Sequence, residues 1–358
     1  MSSQPKSPAC WPTTSPTGHE AGASVLAADI GGTHARLGQV GTTPDMPLLA
    51  YHEYACAGHA DLQHIVRDFL DQHADGPITH GVLACPGRVS GGVVHNRNLP
   101  WPVVVSALRS DLGMTDLMVI NDFEAVAHAV HYTELTTIAT LSRTSDAAQP
   151  GPQVIVGPGT GLGAAVLLPG HPRPTVLATE AGQVSLSPGT DLEREIMRVL
   201  AGSGKTHVSW ERVLSGPGLL NLYLALCAIE GVAPALTSPR SVAEAAQSGA
   251  HHQAGRALEV FCAMLGSFTG DLALLYGASG GIWLAGGVLP KLREKLIHST
   301  FLDRFTHKGC MSGFLETVPV HLLQHGQLGV TGAAGWYLDQ WHRDGKAPDT
   351  EKGGGMTI

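Results

Sequence analysis
With 358 residues the chain is longer than one hydrophobic core usually supports, so two lobes are expected, and 43% hydrophobic against 15% charged residues excludes disorder throughout. A net charge of −8 without any basic run argues against nucleic acid as a partner. Six dispersed cysteines, no signal-peptide order at the N-terminus and no uninterrupted apolar run of the roughly 20 residues that span a bilayer point to a cytoplasmic protein with reduced thiols and no membrane partner.

Met1 to Gly22 is rich in Ser, Pro and Thr and reads as a disordered tail, as do residues 343–358. Ser24 to Val40 is an apolar run that breaks into glycine and threonine and then resumes, the pattern of strand, turn and strand. Leu62, Ile65, Val66 and Phe69 recur at i, i+3, i+4 and i+7, which predicts an amphipathic helix over Leu62 to His73. His80 to Cys85 reads as a short strand turned by Pro86-Gly87, followed by a loop-rich stretch from Val93 to Trp101 and a helix near Val103 to Asp111. Leu117 to Ile120 is another short strand, and Phe123, Val126, Ala127 and Val130 share one helical face, so a strand hands over to a helix at Asn121-Asp122.

The polar segment from about Ser142 to Pro152 leads into a second lobe, which opens with a second strand, glycine turn and strand from Gln153 to Leu168. Helices follow at Gly218 to Glu230 and Ala254 to Tyr276, then a last strand, Ile282 to Ala285, ends at Gly286-Gly287 before a helix from Pro290. The two similar hairpins suggest a diverged internal duplication.

Glycine-rich turns let main-chain N–H groups approach an anion, and a threonine hydroxyl adds a donor. Gly31, Gly32 and Thr33 form one such turn; Gly157, Gly159, Thr160, Gly161 and Gly163 form the other. Either alone could be an ordinary hairpin turn, but two in the two halves suggest two hands around one polyphosphate. Asp29 ends the first strand, where a carboxylate suits the hydrated Mg²⁺ that accompanies ATP. Asp122 can be read as a helix cap or as a base facing a crevice at the strand ends, and both readings stand at this stage. Glu180 and Glu211 are carboxylates of the kind that grip adjacent sugar hydroxyls, although read alone either suits a surface or ion-pair role, Glu211 with Arg212 or another cation. Gly286-Gly287 suits a surface for adenine and ribose or a plain helix start. Gly204-Lys205-Thr206 imitates the end of a P-loop, but Val199 stands where its first glycine belongs. Nineteen histidines form no H-x-x-x-H pair beside a suitable acid, so no zinc site is expected.

These blocks resemble bacterial glucokinases of the hexokinase and actin-like ATPase superfamily. The resemblance runs from about Ser24 to Trp341, through AADIGGTHARLG (Ala27 to Gly38), ACPGRV (Ala84 to Val89), NLPW (Asn98 to Trp101), INDFEAVA (Ile120 to Ala127), VGPGTGLGAA (Val156 to Ala165), TEAGQ (Thr179 to Gln183), ERVLSGPGLLNLY (Glu211 to Tyr223) and LAGGVLP (Leu284 to Pro290). It implies an α/β, two-lobed actin-like ATPase (ribonuclease H-like) fold with a mixed sheet in each lobe. The implied small lobe is 23–132 plus about 330–342, and the large lobe is 133–329. It implies ATP-dependent phosphorylation of glucose at its 6-hydroxyl, with glucose and MgATP as partners and often a homodimer.

By the same resemblance, Asp122 is the general base. Asn98, Asn121, Glu180, Gln183 and Glu211 hold the sugar with it. Ala28, Asp29, Ile30, Gly31, Gly32, Thr33, Gly157, Gly159, Thr160, Gly161, Gly286 and Gly287 hold the nucleotide, with Asp29 on Mg²⁺. Two positions depart from the family pattern. Gln183 replaces the histidine of Glu-Gly-Gly-His, predicting an altered hold near the anomeric end, and His34 replaces the asparagine after Gly-Gly-Thr. A kinase for another hexose and a catalytically weak sugar-sensing homologue remain the alternatives.

Overall fold
The computed structural model describes residues 23–43, 45–90, 92–95, 99–132, 138–142, 149–170, 173–202, 207–324 and 326–344. The tail expected over 1–22, almost all of that expected over 343–358, and the P-loop imitation at Gly204 to Thr206 lie outside these residues. Strand β1 (Ser24–Ile30) pairs antiparallel with β2 (His34–Gly41), which pairs antiparallel with β3 (Leu48–Ala55). Helix α1 (Leu62–Gln72) then leads to β4 (His80–Cys85), parallel to β1. The small antiparallel sheet β5 (Arg88–Ser90), β6 (Val93–His95) and β7 (Val103–Val104) follows. Helix α2 (Val105–Asp111) precedes β8 (Asp116–Asn121), which is parallel to β4. The first sheet therefore runs β3-β2-β1-β4-β8.

Helix α3 (Asp122–Tyr132) and strand β9 (Ile138–Thr140) lead to a second sheet, whose hairpin is β10 (Gln153–Pro158) and β11 (Leu162–Leu168), extended by β12 (Thr175–Thr179). Helices α4 (Asp191–Ala201), α5 (Gly216–Glu230), α6 (Pro239–Ser248) and α7 (His252–Tyr276) come before β13 (Gly281–Leu284). Helices α8 (Arg293–Ile297), α9 (Phe301–Thr306) and α10 (Ser312–Thr317) precede β14 (Val320–Leu323), and α11 (Leu328–Asp344) ends the described chain. The order β12-β11-β10-β13-β14-β9 repeats that of the first sheet: an antiparallel meander, then two parallel strands, plus one added edge strand. Ile282 to Ala285 is thus not the last strand, and the helix predicted from Val103 starts at Val105, because Val103 and Val104 pair with β6.

Local chemistry accounts for these elements. The apolar residues of α1 are buried on one side, and Asp61 caps it by accepting from His64 N. Helix α5 starts on Ser215, whose hydroxyl accepts from Gly218 N, and stops at Gly231, a left-handed C-cap. Among the described residues, α7 is the one helix long and apolar enough to cross a membrane, yet 72% of its most apolar window is buried inside the protein, where Phe261, Leu265 and Phe268 pack in the second core.

Between the sheets lie two helices. Val330, Ala333 and Ala334 of α11 pack on Val25, Ala27, Val82 and Ala84 of the first sheet. Ala127 and Val130 of α3 pack on Ile155, Ala165 and Leu167 of the second. Polar ties fix how α3 and α11 sit on each other: Tyr132 donates to Asp339 Oδ1 (3.0 Å), Trp336 Nε1 donates to Glu124 Oε1 (3.1 Å), and His128 Nδ1 lies 3.2 Å from Asp339 Oδ2. His128 and Asp339 are buried, where an unpaired polar atom is costly, so these contacts favour one helix register.

Candidate active site
Because β1, β4 and β8 are parallel, their carboxyl ends share one edge, the usual place for a crevice in an α/β sheet. The register sets Asp29 beside Ala84 and Cys85 beside Asn121, with Asp122 immediately after. Asn121 takes the capping role: its Oδ1 accepts from Phe123 N (2.9 Å) and Glu124 N (3.2 Å). Asp122 Oδ1 shares the Phe123 N–H at 3.0 Å, and its Oδ2 has no hydrogen-bond partner among the described residues. The helix is therefore capped without needing Asp122.

Burial is the main force that pushes the Asp122 carboxyl up to about 7, and the negative charge of Asp29, with that of Glu180, adds to it. The N–H of Phe123 pulls the other way. A carboxylate poised there ionises near neutrality, as a general base should. With Asp122 in the base role expected from the sequence, the proton-accepting form disappears as pH falls through about 7, so kcat/KM should rise with pH and level off above it. A profile flat from pH 5.5 to about 8.5 would contradict this. The neighbouring Cys85 thiol is pushed up by burial and by Asp122 and Asp29, so it is neutral and unreactive.

At the first hairpin, Arg36 Nη1 lies 3.4 Å from Asp29 Oδ2, and Arg36 Nε donates to Glu53 Oε2 at 3.1 Å. Gly31 N is used inside the turn, on His34 O (2.9 Å), whereas Gly32 N and Thr33 N make no backbone hydrogen bond among the described residues. The Thr33 hydroxyl lies 3.1 Å from His34 Nδ1. The side chains of Ala28 and Ile30 are fully buried, which leaves only their main chain for a nucleotide. A Mg²⁺ ion here would find one carboxylate, that of Asp29, which suits an ion that keeps waters and phosphate oxygens for its other positions. No cluster of three or more metal-ligating side chains occurs among the described residues.

At the second hairpin, Gly159 N donates to Gly161 O (2.8 Å), and Thr160 N and Gly161 N make no backbone hydrogen bond among the described residues. Gly157 lies against Ala285 O, and Gly286, at φ +88°, lies against Pro158 O, so this turn and Gly286-Gly287 make one surface. A Cβ at Gly286 would sit 2.4 Å from that oxygen, and its φ also favours glycine.

Glu180 precedes a short 3-10 turn, Ala181–Gln183, in which Gln183 N donates to Glu180 O (2.9 Å); both side chains are exposed. Glu211 makes no ion pair with Arg212. Its Oε2 instead accepts from Leu162 N at 2.9 Å, on the second hairpin. Asp122, Asp29 and Glu180 are thus brought together, as are Glu211 and the second turn. Asn98 lies outside the described residues.

Two partners escaped the sequence reading. Arg36 faces Asp29 across the hairpin, which strand register alone would have revealed. The Phe123 ring packs so closely on Gly163 that a Cβ there would lie 2.0 Å from the ring, which joins Asp122 to the second hairpin. No local signal announces that contact.

A glucokinase family model matches residues 26–340. The chain is 45% identical over 322 residues to a glucokinase-like protein of Xylella fastidiosa (strain 9a5c), spanning 88% of this chain and 95% of that one. It is 40% identical over 317 residues to the glucokinase of Nitrobacter hamburgensis, spanning 87% and 96%. A crystal structure of glucokinase from an Antarctic psychrotroph superposes with a TM-score of 0.74 at 34% identity, covering 87% of this chain and 98% of that one.

Proposed function
The chain belongs to the glucokinase family, and on that premise we propose how its residues carry out the ATP-dependent phosphorylation of glucose. Asp122 takes the proton of the glucose 6-hydroxyl as that oxygen attacks the γ-phosphorus; the bond to the bridging oxygen breaks, giving glucose 6-phosphate and ADP. Glu180, Gln183, Glu211 and Asn121, with Asn98, orient the sugar. The turns Gly31–Thr33 and Gly157–Gly161 receive the phosphates, and Gly286-Gly287 receives the nucleoside. Asp29 would hold Mg²⁺, which when bound neutralises phosphate charge. The lobes, 23–132 with about 330–342 and 133–329, are ribonuclease H-like halves that close on the sugar and exclude water, which limits idle ATP hydrolysis. The setting is cytoplasmic sugar catabolism.

The observation that carries this reading is the position of Asp122 at the strand ends, with one oxygen that has no hydrogen-bond partner among the described residues and a carboxyl pushed up to about 7. Purified protein, MgATP and a panel of hexoses in a coupled ADP assay test it. Turnover greatest with glucose is the expected result, and absence of turnover with every hexose overturns it.

Gln183 favours one variation, a preference shifted toward another hexose, because an amide stands where relatives of this family place an imidazole. Gln183→His should change KM for glucose several-fold and KM for ATP by less than about 2-fold, since the turn that carries it is assigned here to the sugar. Equal changes in both would remove Gln183 from the sugar site.

A further inference from the structure
One segment of the second lobe, His207 to Gly216, is bonded to both turns assigned above to the substrates. Toward the sugar turn, His207 Nε2 donates to Gln183 O (3.1 Å), Trp210 N donates to Val184 O (3.0 Å), and Leu186 N donates to Val208 O (2.8 Å). A carbonyl only accepts, so Nε2 carries the proton, and Nδ1 faces the Ser185 hydroxyl at 3.1 Å. Toward the nucleotide turn, Gly216 N donates to Gly159 O (2.8 Å) and Glu211 Oε2 accepts from Leu162 N (2.9 Å). Ser215 stiffens the middle: its hydroxyl donates to Glu211 O (2.8 Å) and accepts from Gly218 N (3.0 Å). The Trp210, Val213 and Leu214 side chains of the segment are buried in the second core, which anchors it between the two turns.

We infer that this segment is a strap that makes hexose and nucleotide bind cooperatively, with His207 its handle on the sugar turn and Glu211 its handle on the phosphate turn. The inference rests on the assignment of those turns to sugar and phosphates. Glu211 commits one oxygen to the Leu162 N–H, which fixes the direction in which its other oxygen is offered. A nucleotide that orders the Gly159–Leu162 turn therefore orders the Glu211 carboxylate, and through the strap the backbone of Gln183. The second ligand then meets a site already arranged, so its binding costs less ordering entropy. Linkage requires the effect to be reciprocal.

Calorimetric titration of glucose into the protein, with and without a non-hydrolysable ATP analogue and Mg²⁺, measures this directly. In the parent, the nucleotide should tighten glucose binding by at least about 5-fold. His207→Ala, at an exposed position that tolerates truncation, should bring that ratio to within about 2-fold of one while affinity for the nucleotide alone stays within about 2-fold. His207→Gln, which keeps a donor for Gln183 O, should restore most of the coupling. Tight binding of both ligands without coupling in the parent, or full coupling in His207→Ala, overturns the strap alone. No glucose binding by the parent overturns the functional reading and the strap with it. Loss of nucleotide affinity in His207→Ala would mark a merely structural residue and also overturn the strap.

Discussion

Asp122→Asn should lower kcat by roughly 10²- to 10⁴-fold while glucose affinity changes only a few-fold. The amide keeps an oxygen for the Phe123 N–H that Oδ1 now accepts, and Asn121 continues to cap α3, so the helix start is undisturbed. What is lost is the ability to take a proton. The same substitution should stabilise the fold. Above about pH 7 the native protein carries an ionised carboxylate that burial and Asp29 both oppose, and the unfolded chain does not share that cost. Removing it should add roughly 1–3 kcal/mol at pH 8, a benefit that shrinks as pH falls and Asp122 protonates. Steady-state kinetics and thermal unfolding of one variant therefore move in opposite directions. Near-normal turnover would remove Asp122 from its role; equal or reduced stability would mean that the carboxylate is better solvated than its setting implies.

The order Leu117 to Asp122, an apolar strand running into an acidic helix start, is a strong local signal of a strand-to-helix handover, but it does not tell a cap from a base at Asp122. The two hairpins were legible for a related reason: glycine turns between apolar runs are strong local signals. Weaker elements were not. Strand β12 is an edge strand whose five residues are mostly open to solvent, so it lacks the alternation of a half-buried strand. Strand β14 has four residues, too few to distinguish from a helical fragment, and β9 is shorter still. Glu211 illustrates the limit for the site. The glutamate itself was legible, but its partner lies 49 residues away at Leu162 N, and only the fold brings them together. The close pairing of Phe123 with Gly163 is of the same kind, and so is the placing of α3 and α11 between the sheets.

That helix pair sets up the second large effect. A Cβ on Gly332 of α11 would lie 1.7 Å from Ala125 O and 3.1 Å from Ala129 N, both main-chain atoms of α3, so no rotamer change can relieve it. Gly332→Ala must force the helices apart, against the Tyr132–Asp339 and Trp336–Glu124 hydrogen bonds that fix their register. The expected loss is roughly 3 kcal/mol, the upper end for overpacking, where the same change in an open helix would gain stability. Activity should fall as well. One turn earlier, Gly329 lies so close to the Asp29 side chain that a Cβ on it would sit 2.6 Å from Asp29 Cγ, and a shifted α11 withdraws that support. KM for MgATP should rise more than KM for glucose. Gly335→Ala is the comparison: its added methyl would meet the Tyr132 ring at 2.5 Å, a side chain able to yield, so its cost should be smaller. Chemical denaturation of the two variants decides the matter. Equal costs would mean that α3 and α11 separate easily, and the helix layer would then be a loose joint between the sheets instead of a fixed one.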